Sequence, residues 1–203
     1  MPLIFQEEIN SATRLGIWKI EEEAAFFRNK VPVHRQVTHP HKMLQHLAGR
    51  YLLQYLFPGF PYHLVQIADT RKPYIGGDAF HFSISHCGDF AAAIISETER
   101  VGVDIEKPVE KIIHIRNKFI STAEKEALNP LSIEELTQIW SAKEAVFKWY
   151  GAGQVDFKEH IRLLAYNDDP PCFNCCFTKN NTLLNVFLNQ LSGLCLSYVA
   201  TKK

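Results

Sequence analysis

Three carboxylates and a lysine, carried on two short segments, are the residues of this chain best suited to chemistry. Val101-Gly102-Val103-Asp104-Ile105-Glu106 alternates apolar and polar positions, so it reads as a half-buried strand with Asp104 and Glu106 on one face. Trp140-Ser141-Ala142-Lys143-Glu144-Ala145-Val146-Phe147-Lys148 reads as helix, where four-residue spacing sets Glu144 beside Lys148. Three acids with a lysine next to the third suit a hard, oxygen-liganded cation and an anionic substrate. Each piece also has a plainer explanation. Polar-out alternation is the default of a half-buried strand, and Glu four residues before Lys is the favourable helix ion pair. Against that stand Trp140 and Phe147, which place Glu144 and Lys148 on a helix that must pack closely. Charges beside buried aromatics are costly unless paired or used.

Further candidates lie outside these segments. Glu124 stands three residues after Ser121, the spacing of a capping box, and is weighed equally between that role and support of the acidic site. His86 closes Phe82-Ser83-Ile84-Ser85-His86, where it is either a turn residue or a hydrogen-bond donor to a phosphate. Lys72 precedes Pro73, whose ring fixes its approach. Lys42 and Arg50, on the helix before Phe57, complete the candidates for an anion site, although each alone fits a surface charge.

The elements that must position these residues form an α+β pattern. Short strands are expected near Ile4 and Ile17–Ile20, a helix from about Glu21 to Arg28, and a longer one from about His41 to Leu56, stopped by Phe57-Pro58-Gly59. A strand at Leu64–Ala68 and a turn at Arg71-Lys72-Pro73-Tyr74 precede a hairpin pairing Ala79–Ser85 with Ala91–Ser96. After the acid-bearing strand come helices near His114–Phe119, from Ser121 to Asn129-Pro130, and from Ser132, with Glu135 as its capping partner, to Gly151. Four strands finish the chain, at Ile161–Tyr166, Cys172–Thr178, Leu183–Leu188 and Leu194–Thr201. An echo of Phe90–Ser96 in Leu194–Ala200 points to two similar subdomains, 1–100 and 101–203, the second carrying the acids and Lys148.

Composition narrows the function classes. The 203 residues are 46% hydrophobic and include 14 Phe, enough for a sizeable core. Charge is balanced in each half, with 10 basic and 10 acidic residues in 1–100 and 12 of each in 101–203. That balance argues against a nucleic-acid partner. The longest apolar run, Phe90 to Ile95, is too short to span a bilayer, and the first residues lack the pattern of a signal peptide, so a cytoplasmic protein is expected. Of the five cysteines only Cys172, Cys175 and Cys176 cluster, without a second ligand pair for zinc, and they read as buried, reduced thiols.

Taken together, Lys72-Pro73-Tyr74, Phe82-Ser83-Ile84-Ser85-His86, Gly102-Val103-Asp104-Ile105-Glu106 and Trp140-Ser141-Ala142-Lys143-Glu144 through Lys148 resemble the 4′-phosphopantetheinyl transferase superfamily. The likeness is to the long, pseudo-dimeric type that activates polyketide, peptide and fatty-acid synthases, and it covers about residues 72–151. It implies two similar α/β subdomains related by a pseudo-twofold axis in a monomer. It also implies transfer of phosphopantetheine from coenzyme A to a serine of an apo acyl or peptidyl carrier protein. By resemblance, Asp104, Glu106 and Glu144 hold Mg²⁺ or Mn²⁺ against the pyrophosphate, and Lys148 contacts the phosphate. Glu124 matches the acidic residue between the two signatures. His86 and Lys72, with Ser85 and Pro73 beside them, meet the 3′-phosphate side of the nucleotide. Ser85-His86-Cys87 stands where the family commonly has Ser-His-Ser. In the N-terminal basic cluster Lys42, Gln45 and His46 precede Gly49-Arg50, and Lys42 and Arg50 are the candidates.

The residues alone leave two alternatives. Another Mg²⁺-dependent phosphoryl-transfer enzyme, such as a nuclease, also gathers acids and a lysine, but it needs an affinity for nucleic acid that the charge balance disfavours. A coenzyme A or carrier-binding module without catalysis would have no use for intact carboxylates. The carrier surface is expected to be apolar and to include Phe119 and Ile120.

Overall fold

The computed structural model describes residues 2–32, 37–130 and 132–202. The chain divides into two compact units, Met1–Val101 with Lys202–Lys203, and Gly102–Thr201.

The first unit opens with an antiparallel pair, β1 (Leu3–Asn10) and β2 (Thr13–Lys19). Helix α1 (Ala24–Arg28) starts three residues later than the sequence suggests. Glu22 explains the delay, because its carboxylate accepts the Trp18 indole N–H at 3.1 Å and the Glu21 N–H at 3.2 Å. Helix α2 (Pro40–Leu56) begins at a proline, whose missing N–H is no loss in a first turn. Strands β3 (Val65–Ile67) and β4 (Pro73–Ile75) form a small ribbon, so Pro73 and Tyr74 lie in a strand and the turn falls just before them, at Arg71 with φ 65°. Strands β5 (His81–Cys87) and β6 (Phe90–Ser96) form the expected hairpin with a tighter turn. Cys87 pairs with Phe90 across Gly88-Asp89, leaving His86 within the strand opposite Ala91. The sheet order is β1-β2-β6-β5, and α2 covers it with Leu47, Leu52, Leu53 and Leu56. Gly49 allows that approach, since a Cβ there would lie 2.5 Å from the Ile84 side chain.

The second unit takes up the chain within β7 (Glu99–Glu106). Helix α3 (Lys111–Ile115) begins before the helix that the sequence suggests near His114–Phe119 and tightens into a 3₁₀ turn at Arg116–Lys118. Helices α4 (Thr122–Leu128) and α5 (Ile133–Tyr150) both open with complete capping boxes, Ser121 with Glu124 and Ser132 with Glu135. Each ends in a left-handed residue, Asn129 and Gly151. Strands β8 (Ile161–Asp168), β9 (Pro171–Phe177), β10 (Thr182–Leu191) and β11 (Leu194–Lys202) join β7 in the order β7-β11-β10-β9-β8. The core is formed by α5 residues such as Ile139, Ala142, Val146 and Trp149 against Leu163, Phe177 and Val186.

Each unit has an early strand, β2 or β7, hydrogen-bonded to its last one, β6 or β11. All five cysteines are free thiols. Among the described residues no helix is long and apolar enough to cross a membrane.

Candidate functional site

Helix α5 lies along the face of β7 that carries the even-numbered residues. Gly102 meets the helix at Ala145 and Trp149, and a Cβ there would collide with the Ala145 carbonyl oxygen and sit 2.6 Å from the Trp149 nitrogen. One pleat on, the Ser141 hydroxyl donates to the Asp104 carbonyl oxygen at 3.4 Å, and Lys148 Nζ reaches Asp104 Oδ1 at 2.7 Å. At the strand's end the Trp140 indole donates to Glu106 Oε1 at 3.2 Å. The two elements match in length. The four residue steps from Gly102 to Glu106 rise about 13 Å, and the nine steps from Trp140 to Trp149 rise about 13.5 Å.

Asp104 is therefore not the wet face of a strand: only 2% of it is exposed. Glu144 feels both strand acids. Burial, then the charge of Asp104, pushes its carboxyl from the usual 4.5 up to about 7, with Glu106 adding to the rise and Lys148 opposing it. Lys148 forms its ion pair with Asp104, the residue across from its own helix, at 2.7 Å. The arrangement concentrates negative charge with one ammonium beside it, suited to a cation and a polyanion.

The raised carboxyl carries a stability consequence. Below pH 4.5 Glu144 is protonated folded or unfolded; as pH rises toward 7 the unfolded chain ionises first, so stability falls and the loss is complete above 7. The penalty reaches about 3 kcal/mol or less. In chelator, Glu144→Gln should match the wild type in urea unfolding at pH 4 and exceed it at pH 8. Equal stability at both values would exclude a buried, mutually repelling Glu144.

Glu124 lies elsewhere. Only 2% exposed, it accepts from Ser121 N and Oγ through Oε2, at 2.9 and 2.8 Å, and from Leu163 N at 2.9 Å through Oε1. The same Oε1 meets Lys143 Nζ at 2.6 Å. The carboxylate thus makes the capping box and a buried ion pair, and it does not figure among the charges that move Glu144. Lys143, which sequence reasoning passed over, has no exposed side-chain surface. Phe119 and Ile120 are corrected: they are core residues, 0% and 2% exposed, and offer no carrier surface. Phe119 is held by the edge of the Trp140 ring, 5.1 Å between centroids.

The remaining candidates belong to the first unit. Arg50 is 8% exposed on α2; its Nη1 donates to His46 O at 3.3 Å, and its own carbonyl accepts from the Tyr62 hydroxyl. Arg50, Tyr62 and Pro73 line one pocket with Phe60, Phe82 and Ile84. Next to Pro73, Lys72 is pulled down to about 8 by burial and then by the charge of Arg100, a neighbour that sequence spacing does not reveal. Gln45 donates to the Gly88 carbonyl and His41 pairs with Asp89, both at 2.8 Å, so the first turns of α2 meet the hairpin that carries Ser85 and His86. Ser85 is buried and His86 exposed, while Lys42 lies in the first turn of α2.

The sequence pattern described as the 4′-phosphopantetheinyl transferase superfamily matches residues 100–199. The chain is 32% identical over 126 residues to enterobactin synthase component D of Escherichia coli K12, covering 58% of this chain and 60% of that protein. It is 30% identical over 122 residues to a 4′-phosphopantetheinyl transferase of Bacillus subtilis, covering 53% and 54%. It is also 32% identical over 111 residues to the 4′-phosphopantetheinyl transferase AcpT of Salmonella typhi, covering 52% and 57%. The match thus spans a little over half the length of these relatives.

Proposed function

Because this chain belongs to the 4′-phosphopantetheinyl transferase superfamily, we propose that it moves phosphopantetheine from coenzyme A to a serine hydroxyl of an apo acyl or peptidyl carrier protein. The serine oxygen forms a bond to phosphorus, and adenosine 3′,5′-bisphosphate leaves. In this reading the two units are related halves of the long, pseudo-dimeric type, acting as a monomer. The observation that carries it is the acidic cluster on β7 and α5, with Lys148 on Asp104.

Asp104, Glu106 and Glu144 are the residues that would hold Mg²⁺ or Mn²⁺. Among the described residues no three His, Cys, Asp or Glu side chains stand close enough to hold an ion by themselves. Their chemistry still fits, because Mg²⁺ usually takes one or two carboxylates and completes its shell with substrate phosphates and water. When bound, the ion supplies positive charge at the pyrophosphate. Glu144, held near neutrality, suits acceptance of the serine proton, with Glu106 acting through a water as the alternative. Lys148 steadies or protonates the departing phosphate. In the first unit Lys72, Pro73, Ser85, His86, Lys42 and Arg50 are assigned to the nucleotide end of coenzyme A.

The carrier is expected at the segment after Glu106. There Val109 and Ile113 are 53% and 39% exposed, and Lys107, Glu110, Lys111, Arg116 and Lys118 of the same segment are exposed. Exposed apolar residues in a mainly basic segment suit a partner of complementary pattern.

Purified protein, coenzyme A, Mg²⁺ and a panel of apo carriers, followed by intact mass, test the proposal. A mass gain of one phosphopantetheine on at least one carrier, abolished by chelator, is expected. Coenzyme A binding without mass gain would leave a non-catalytic module, and a salt-sensitive shift of DNA or RNA would favour the nuclease reading.

A further inference from the structure

Lys143 precedes Glu144 on α5, and its ammonium is buried with three acceptors for its three protons. Nζ donates to Phe157 O at 2.8 Å and to Ile161 O at 2.7 Å, and it pairs with Glu124 Oε1 at 2.6 Å. Glu124 in turn receives Leu163 N from β8 and the two Ser121 donors at the start of α4. One ion pair thus ties α5 to α4, to the first strand after it, and to the loop that holds Phe157.

Two routes lead from this pair to the acids. The first is the helix itself: with Lys143 anchored on one side and Ser141 and Lys148 bound to Asp104 on the other, α5 can neither slide nor rotate, and Glu144 is held with it. The second runs through Phe157, whose carbonyl Lys143 grips. The Phe157 ring stacks on Trp140, 5.4 Å between centroids and 16° between planes, and the Trp140 indole holds Glu106.

We infer that Glu124 and Lys143 form a positioning clamp for Glu144 and Glu106, and that their charges serve only each other. Glu124 then takes no proton in the reaction. The inference rests on the proposed transfer for its activity arm, and its stability arm stands without it.

The test is a double-mutant cycle of Glu124→Gln and Lys143→Met. Lys143→Met alone leaves a carboxylate buried without its cation and should lower Tm by roughly 10 °C. The double variant removes both charges and should recover most of that loss. With coenzyme A, Mg²⁺ and an accepted carrier, the double variant should keep kcat within about tenfold of wild type with an unchanged pH profile. The single Lys143→Met variant, assayed below its Tm, should lose about 100-fold in kcat and need more Mg²⁺. Glu124→Gln alone leaves the Lys143 ammonium buried without its counter-charge and should lose stability and kcat much as Lys143→Met does. A loss of about 100-fold or more in a double variant as stable as wild type would overturn the inference and make Glu124 a catalytic base. A double variant no more stable than Lys143→Met would overturn it too, since the charges would not be coupled. If wild type transfers to no carrier, the functional reading fails while the stability cycle still decides the clamp.

Discussion

Glu144→Ala and Asp104→Ala are each expected to reduce phosphopantetheine transfer by at least 100-fold while leaving a cooperatively folded protein. Each variant removes one of three acids that share a single region of charge, and a proton acceptor alone typically contributes about 10²–10⁴-fold. The fold should tolerate both changes. Removing Glu144 relieves the repulsion that pushes its carboxyl up to about 7. Removing Asp104 leaves Lys148, whose side chain is 25% exposed and can turn to water. Intact-mass assays at saturating coenzyme A, beside thermal unfolding, read the two effects separately. Wild-type-like transfer by either variant, with the fold intact, would remove the acidic cluster from the reaction.

Gly102→Ala should damage both fold and activity. The new methyl would collide with the Ala145 carbonyl oxygen and press on the Trp149 backbone nitrogen at 2.6 Å. Both are main-chain atoms within a helix, so no side chain can turn aside. The helix must move away from β7, costing about 3 kcal/mol or more and lowering Tm by roughly 10 °C. Such a shift carries Glu144 and Lys148 away from Asp104, and a displacement of about 1 Å near the chemistry costs on the order of 100-fold. The comparison is Gly59→Ala in the other unit, where no atom lies within 4 Å of the added methyl and only the positive φ of 91° resists it. A Gly102→Ala protein with wild-type Tm and kcat would show that β7 and α5 do not need their close contact.

Much of the second unit was legible because its signals are local. The capping boxes of Ser121 with Glu124 and of Ser132 with Glu135 form within four residues, and both appear where their spacing put them. Gly151 ends α5 in the left-handed conformation that glycine accepts most readily. Errors arose where a side-chain contact that periodicity and spacing do not show intervened. The start of α1 moved because the Glu22 carboxylate turned back to Trp18. Phe119 and Ile120 looked like a surface, yet they are core residues because Trp140 and the rest of α5 cover them.

The sequence by itself determined which elements form and which acids stand on them, since helix caps, turns and strand alternation depend on neighbours a few residues away. Only the tertiary structure decided what those acids touch. Lys148 pairs with Asp104 across 44 residues, Trp140 meets Glu106 across 34, and Leu163 meets Glu124 across 39. Those contacts turned an ordinary helix pair into part of an acidic cluster and enclosed Glu124 with Lys143. The physical reason is burial: charge is costly away from water, so the partners a folded chain supplies decide whether a carboxylate is structural or reactive.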